Sequence, residues 1–128
     1  MNVVIHLDTS ALVDGFTGSR RLLPRIRGVT AKGDILGFSM LVLYEWLRGP
    51  RMEDERQAVA AFFDFDLLHV FGRAEAERAA AWFMTVTGAR RRQANLAIAA
   101  CAVEAGAALW TLNRSDFADI PGLTLFPG

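Results

Sequence analysis

Three acidic residues, Asp8, Glu45 and Asp116, are the side chains of this sequence whose type and setting point to chemistry. Carboxylate oxygens are the ligands that Mg²⁺ and Mn²⁺ prefer in proteins. An ion held in this way can deprotonate a water molecule and direct it at a phosphodiester. The sequence therefore predicts a site for a hard divalent cation, built from residues that lie far apart along the chain.

Each of these acids also has a structural interpretation. Glu45 lies in the apolar run 40–47, where an unpaired carboxylate would be costly, and Arg48 at i+3 is a possible ion-pair partner. Asp8 can cap a helix that begins at the following residues, and Asp116 can cap a short turn. No single acid carries the prediction of a metal site, and only their joint placement favours it.

The pattern of apolar residues predicts the elements that would position these acids. Strands are predicted over 3–7, 35–38, 67–71, 108–112 and 123–125. Helices are predicted from Thr9 to about Asp14 with an end at Gly15, over 19–31, from the Ser39 cap to Gly49, and over 53–64, 73–86 and 92–105. This alternation predicts an α/β sandwich around a mostly parallel sheet, with a single domain over 1–128.

The predicted sheet explains how the distant acids would meet. Ligands of parallel sheets bind just beyond the carboxyl ends of the strands. Asp8 follows the first predicted strand, and Asn113 and Asp116 follow the fourth. Glu45 lies on the helix that leaves the second strand. We therefore expect these residues at one edge of the sheet.

Composition narrows the class of protein. The chain has 128 residues, 52% of them hydrophobic, and its single cysteine, Cys101, excludes an internal disulfide or a multi-cysteine zinc site. The first residues lack the features of a signal peptide, and no apolar run is long enough to span a bilayer. We expect a cytoplasmic protein with no membrane partner.

Basic residues are clustered although the net charge is zero. The first cluster, with no acid inside it, comprises Arg20, Arg21, Arg25, Arg27 and Lys32, and the second comprises Arg90, Arg91 and Arg92. Phosphate recognition requires only a local basic surface. Solvated helix faces are the alternative interpretation of both clusters.

Other Asp-based or nucleotide-binding α/β proteins fit less well. A haloacid dehalogenase-like phosphatase needs a second Asp where Ser10 stands, and a receiver domain needs a late Lys, whereas the only Lys is Lys32. A dinucleotide-binding domain needs a glycine-rich turn after a strand, which this sequence lacks. His6 and His69 both lie in apolar runs, which favours core or surface positions over an acid–base pair.

Four motifs together resemble the PIN domain, and most closely the VapC-type toxins of type II toxin–antitoxin systems. They are Leu7-Asp8-Thr9-Ser10-Ala11-Leu12, Ser39 to Glu45 with Leu47-Arg48-Gly49, Ile98-Ala99-Ala100, and Thr111-Leu112-Asn113-Arg114-Ser115-Asp116-Phe117. They occur in the family's order and span nearly the whole chain.

The resemblance implies a three-layer α/β/α sandwich with a mostly parallel central sheet. It also implies an endoribonuclease that depends on Mg²⁺ or Mn²⁺ and cleaves structured RNA, such as tRNA or ribosomal RNA, with a metal-activated water. It implies a homodimer and a cognate VapB-like antitoxin. The family's acidic positions map to Asp8, Glu45 and Asp116, while Thr9, Ser10, Thr111 and Asn113 match positions that support them. Arg90, Arg91 and Arg92 are the basic residues that we expect to contact RNA.

The family's third acidic position is occupied by Asn95. An amide keeps the shape of the side chain and one ligand oxygen but loses the charge, so catalytic and metal-binding strength should fall. Either a substitution was introduced so that a toxic nuclease could be produced, or this is a natural, weakened or inactive member. The chief alternative is a non-catalytic PIN-like module that binds RNA or a partner protein.

Overall fold

The fold is described from a computed structural model covering residues 2–128. The strands are β1 (Val4–Leu7), β2 (Ile35–Gly37) and β3 (Ala108–Trp110). The helices are α1 (Thr9–Phe16), α2 (Leu23–Ala31), α3 (Met40–Arg48), α4 (Glu53–Phe62), α5 (Arg73–Thr85) and α6 (Gln93–Glu104). Three 3-10 turns occupy Phe65–Leu67, Ala89–Arg92 and Arg114–Asp116.

The three strands form a parallel sheet in the order β2-β1-β3. Ile5 at the centre of β1 is level with Leu36 on one side and Ala108 on the other. Ile5 and Leu7 are fully buried, as expected for a parallel strand covered on both faces. The predicted α/β alternation and the parallel sheet are confirmed.

Two of the five predicted strands are reduced to single bridges. The segment 67–71 meets the sheet only where His69 pairs with Ser39, and 123–125 only where Leu125 pairs with Leu109. In the segment 67–71, the 3-10 turn at Phe65–Leu67 leaves Leu67 81% exposed, so the chain first pairs at His69. It then leaves almost at once to enter α5.

Local capping signals placed most helix ends correctly. The Ser39 hydroxyl accepts a hydrogen bond from the Val42 amide at 3.3 Å and caps α3. The predicted start of the second helix at residue 19 is wrong, because Arg20 has a positive φ and α2 begins at Leu23. Pro24 then lies in the first turn of α2, where its missing N–H costs nothing. The predicted end of α1 at Gly15 is wrong, because Gly15 is buried inside the helix under Ile26.

Helix α3 is only half buried, although nearly every residue of the run 40–47 is apolar. Val42 and Trp46 are fully buried, whereas Tyr44 and Leu47 are 61% and 52% exposed. Within residues 2–128, no helix combines the length and apolar character needed to cross a membrane.

Candidate active site

Asp8 lies at the carboxyl end of β1 and is almost completely buried, with 4% exposure. Its Oδ1 accepts hydrogen bonds from the Ser10 hydroxyl at 2.7 Å and from the Ala11 amide at 3.0 Å. Its Oδ2 accepts one from the Thr111 hydroxyl at 2.5 Å. Asp8 therefore caps α1 through one oxygen and reaches the end of β3 through the other.

Burial raises the pKa of the Asp8 carboxyl above its usual value, because the charged form loses its hydration. The hydrogen bonds from Thr111, Ser10 and the Ala11 amide favour the charged form and offset part of this rise. A desolvated carboxylate of this kind is a group that a nearby cation would stabilise. Such perturbed acids are typical of functional sites.

Ser10 and Thr111 join α1 to the loop after β3. The Ser10 hydroxyl accepts a hydrogen bond from the Leu112 amide at 3.0 Å. The Thr111 hydroxyl accepts one from the Asn113 amide at 2.9 Å. The main-chain bond from the Asp8 amide to the Trp110 carbonyl, at 3.0 Å, completes the junction. The supporting positions Ser10, Thr111 and Asn113 thus lie together at the edge of the sheet where Asp8 lies.

Glu45 joins this group through Thr9, whose hydroxyl donates a hydrogen bond to Oε1 of Glu45. The side chain of Glu45 is 20% exposed. The alternative partner, Arg48, is 60% exposed and approaches Oε2 only to 3.8 Å. Its guanidinium also lies 5.1 Å from the centre of the Tyr44 ring. The ion pair predicted from the sequence is therefore present, but it is long and solvent-exposed on the Arg48 side, so it contributes little.

Asn95 and Asp116 lie on two neighbouring segments. Asn95 is half-buried in the first turn of α6, and Asp116 is exposed at the end of the 3-10 turn after β3. Arg92, the residue before α6, donates a hydrogen bond to the Asp116 carbonyl at 2.7 Å. This bond holds the start of α6, and with it the turn that carries Asn95, beside Asp116.

No protein-family model matches the sequence, and no curated protein matches it. Solved structures do. One is the structure of VapBC2 from Rickettsia felis bound to a DNA fragment from the VapBC2 promoter. A chain of that structure matches this chain with a TM-score of 0.72 at 19% identity, and the match covers 97% of this chain and 98% of that chain.

Two further structures agree. DNA-bound VapBC from Salmonella typhimurium has a TM-score of 0.69 at 18% identity over 98% of both chains. A toxin–antitoxin complex from Klebsiella pneumoniae has a TM-score of 0.68 at 22% identity over 96% of both chains. The chain has a PIN-like fold. The fold class predicted from the four motifs is thereby confirmed, and identities this low concern the fold alone.

On this PIN-like fold, the four predicted ligand positions offer oxygen donors only, which suits a hard cation. The number of carboxylates is less favourable, since Asn95 supplies an amide at one of the four positions. Within residues 2–128, no group of three or more His, Cys, Asp or Glu side chains is close enough to hold a metal ion. The donor chemistry fits Mg²⁺ or Mn²⁺, but Asp8, Glu45 and Asp116 do not form such a group within residues 2–128, and Asn95 brings no charge to it.

The three consecutive arginines differ in their surroundings. Arg90 and Arg91 are exposed and remain predicted RNA contacts. Arg92 is only 16% exposed, and its terminal nitrogens bond Asp119 at 2.6 and 3.0 Å and the Thr87 carbonyl at 3.0 Å. Because its two terminal nitrogens are occupied within the chain, Arg92 fixes the loop around Asp116.

Asp119, the ion-pair partner of Arg92, was not predicted from the sequence. Its partner is 27 positions away, and no local motif signals the pairing. The Arg92 guanidinium holds the pKa of the Asp119 carboxyl below its usual value.

The two histidines form a separate cluster. His6 on β1 and His69 have ring centroids 5.9 Å apart, and Nε2 of His69 lies 2.5 Å from Oε2 of Glu75. Burial, together with the neighbouring His69, lowers the pKa of His6 from 6.5 to about 4. His6 is therefore neutral at physiological pH and belongs to the packed interior.

Proposed function

We propose that this chain is the toxin of a toxin–antitoxin pair, with the site of a metal-dependent endoribonuclease weakened at Asn95. The observation that carries the proposal is the full-length similarity to chains of three toxin–antitoxin structures, two of them VapBC complexes bound to DNA. An antitoxin of the VapB type would be the protein partner. A homodimer and a cytoplasmic location are part of the same proposal.

The site supports the ribonuclease part of the proposal. Asp8 offers a desolvated carboxylate, and Glu45 offers a partly exposed carboxylate anchored by Thr9. Asp8, Glu45, Asn95 and Asp116 would hold Mg²⁺ or Mn²⁺, which supplies activation of a water molecule when bound. Ser10 and Thr111 fix the orientation of Asp8, and the Asn113 amide in turn holds the Thr111 hydroxyl, so that the position of Asp8 does not depend on the ion.

Asn95 sets the expected level of activity. Its amide oxygen can still ligate a hard cation, but the site loses one negative charge and with it part of the attraction for the ion. Restoring the acid should therefore raise both metal affinity and cleavage. RNA is the proposed substrate for two reasons. The chain has a PIN-like fold, and its four motifs, with the acidic positions in them, resemble those of PIN-domain ribonucleases.

The decisive experiment compares RNA cleavage by the parent chain and by Asn95→Asp, with tRNA and ribosomal RNA as substrates and Mg²⁺ or Mn²⁺ present. Gln93→Glu is the matched control, because it makes the same amide-to-acid change in the same turn of α6. We expect cleavage by Asn95→Asp alone, abolished by a chelator and by adding Asp8→Asn. Equal inertness of Asn95→Asp and the parent would refute inactivation through Asn95.

A non-catalytic PIN-like module is the second candidate. The observation in its favour is that residues 2–128 hold no cluster of three metal-ligating acids, histidines or cysteines. This candidate predicts that Asn95→Asp binds RNA or an antitoxin-type protein without cleaving RNA. Binding is measured with the small DNA-binding protein encoded by a neighbouring gene, if one is present, as the partner.

A further inference from the structure

An open cleft of about 550 Å³ lies against the candidate active site, between α1 and the start of α2. We call it the α1–α2 cleft. Its wall includes Thr9, Ser10, Asp14, Ser19, Arg21 and Leu112. Thr9 and Ser10 are the residues that bond Glu45 and Asp8, so the cleft adjoins both acids through these two hydroxyls.

Arg21 is the cation of this cleft. Its side chain is 77% exposed, and its only ion pair in the described part of the chain joins Nη2 to Oδ1 of Asp14 at 3.2 Å. A guanidinium carries five N–H donors in a planar fork, so most of them remain available to a ligand. The bond to Asp14 limits the freedom of the long side chain, which lowers the entropy lost when a ligand binds.

Two contacts with residues of α4 hold the loop that carries Arg21 into the cleft. The Gly18 amide donates a hydrogen bond to Oε2 of Glu55 at 3.3 Å, and Arg20 pairs with Asp54 at 3.5 Å. Arg20 has a φ of +53°, which is unfavourable for a residue with a side chain. The surrounding contacts maintain this conformation, and it sets the direction in which the chain enters α2.

The other wall of the cleft is apolar. Leu112 is 48% exposed, although its amide is bonded to Ser10 and its neighbour Thr111 is buried. Single-stranded nucleic acids bind where cations contact the backbone and side chains, most often aromatic ones, pack against the bases. An aliphatic side chain offers apolar contact area to a base without ring stacking. Arg21 and Leu112 offer these two features in one cleft beside the acids.

We infer that the α1–α2 cleft binds a strand of RNA, with Arg21 contacting a backbone phosphate and Leu112 packing against a base. This inference rests on the proposed ribonuclease function and assigns the route by which the strand reaches Asp8 and Glu45. Arginine suits the role because its fork can bond two oxygens of one phosphate. The zero net charge of the chain makes local cations of this kind decisive for affinity.

Binding is tested with the full chain and a fluorescent single-stranded RNA, by anisotropy in chelator over a series of KCl concentrations. Arg21→Gln should weaken binding about tenfold at low salt and reduce the slope of log affinity against log salt by about 0.7, the value for one phosphate contact of a single strand. Arg27→Gln is the matched control, because Arg27 is an exposed arginine on α2 outside the cleft. It should change neither quantity, and Leu112→Ser should weaken binding without changing the salt slope.

The outcomes separate this inference from the proposed function. If the parent binds RNA and Arg21→Gln binds equally well, or if Arg27→Gln loses as much affinity, the assignment of Arg21 is wrong while cleavage by Asn95→Asp can still establish the ribonuclease. If the parent binds no RNA, the cleft assignment is wrong, and the cleavage assay decides the function independently. Tighter binding of the parent chain to single-stranded DNA of the same sequence than to RNA would also overturn the cleft assignment. Urea unfolding of each variant confirms that the exposed substitutions leave the fold intact.

Discussion

The Thr111 hydroxyl donates a hydrogen bond to Oδ2 of Asp8, joining residues 103 positions apart in the sequence at the ends of β3 and β1. The bond is buried and lies where the neighbouring strands β1 and β3 end. It couples the stability of the sheet edge to the charge of the candidate catalytic acid. Changes at Thr111 should therefore affect stability in a way that depends on Asp8.

Thr111→Val should destabilise the protein by about 1–3 kcal/mol at pH 7, because the buried Asp8 carboxylate loses a donor and the Asn113 amide loses an acceptor. In an Asp8→Asn background, the loss should be smaller, since a neutral amide is less costly to leave with fewer partners. The free energy of unfolding in urea measures both effects in a double-mutant cycle. Thr124→Val, at an exposed position, is the control for the change of side chain. Equal losses in the two backgrounds would show that Thr111 acts independently of the Asp8 charge.

Arg92→Lys should loosen the loop around Asp116. A lysine ammonium cannot bond both Asp119 oxygens and also reach the carbonyls of Thr87 and Asp116, as the arginine fork does. Amide hydrogen exchange should become severalfold faster over residues 114–119 and remain unchanged in β1. Arg90→Lys and Arg91→Lys, at exposed neighbouring positions, serve as controls and should exchange like the parent. Unaltered exchange at 114–119 in Arg92→Lys would remove Arg92 from any positioning role.

The sequence was informative wherever structure depends on local chemistry. Asp8 shows this well, because its two interpretations, helix cap and site residue, are compatible in the structure. One carboxylate oxygen caps α1 while the other bonds Thr111. Ser39 likewise caps α3 as its position before an apolar run predicts. The parallel strands were also visible as apolar runs, and their shared carboxyl edge placed Asp8 and Thr111 together.

Features set by packing between distant segments could not be predicted. Three adjacent arginines look alike in the sequence, yet the 3-10 turn rotates only Arg92 inward to meet Asp119. Gly15 looked like a helix end, but Ile26 on α2 packs over it and the helix continues. The run 67–71 has the composition of a strand, but the preceding turn leaves it only one bridge with the sheet.

Gly15→Ala tests the contact between α1 and α2. A Cβ at Gly15 would lie 2.6 Å from Cδ1 of Ile26, and Ile26 is fully buried and has little room to move. We expect a loss of about 1–3 kcal/mol in the free energy of unfolding, since overpacking exceeds the gain in helix propensity. Gly28→Ala is the matched control, because a Cβ there meets no atom within 4 Å and should stabilise α2 by up to about 1 kcal/mol. Similar stabilities for the two variants would contradict the close approach of Ile26.

Stability should also fall as the pH drops from 7 to 5, because His6 is buried and neutral. The folded pKa of His6 is about 4, against 6.5 when unfolded, so the unfolded chain takes up the proton first. The His6 contribution to the free energy of unfolding should fall by about 2 kcal/mol over this interval, at about 1.36 kcal/mol per pH unit below 6.5. Asp8, whose folded pKa is raised, takes up its proton more readily in the folded chain and acts in the opposite sense. Glu75, whose bond to His69 lowers its pKa, loses its contribution only below its ordinary value of 4.5, outside this window. Urea unfolding at both pH values measures the change. The loss should largely disappear in His6→Gln, and an equal loss in that variant would show that another group titrates.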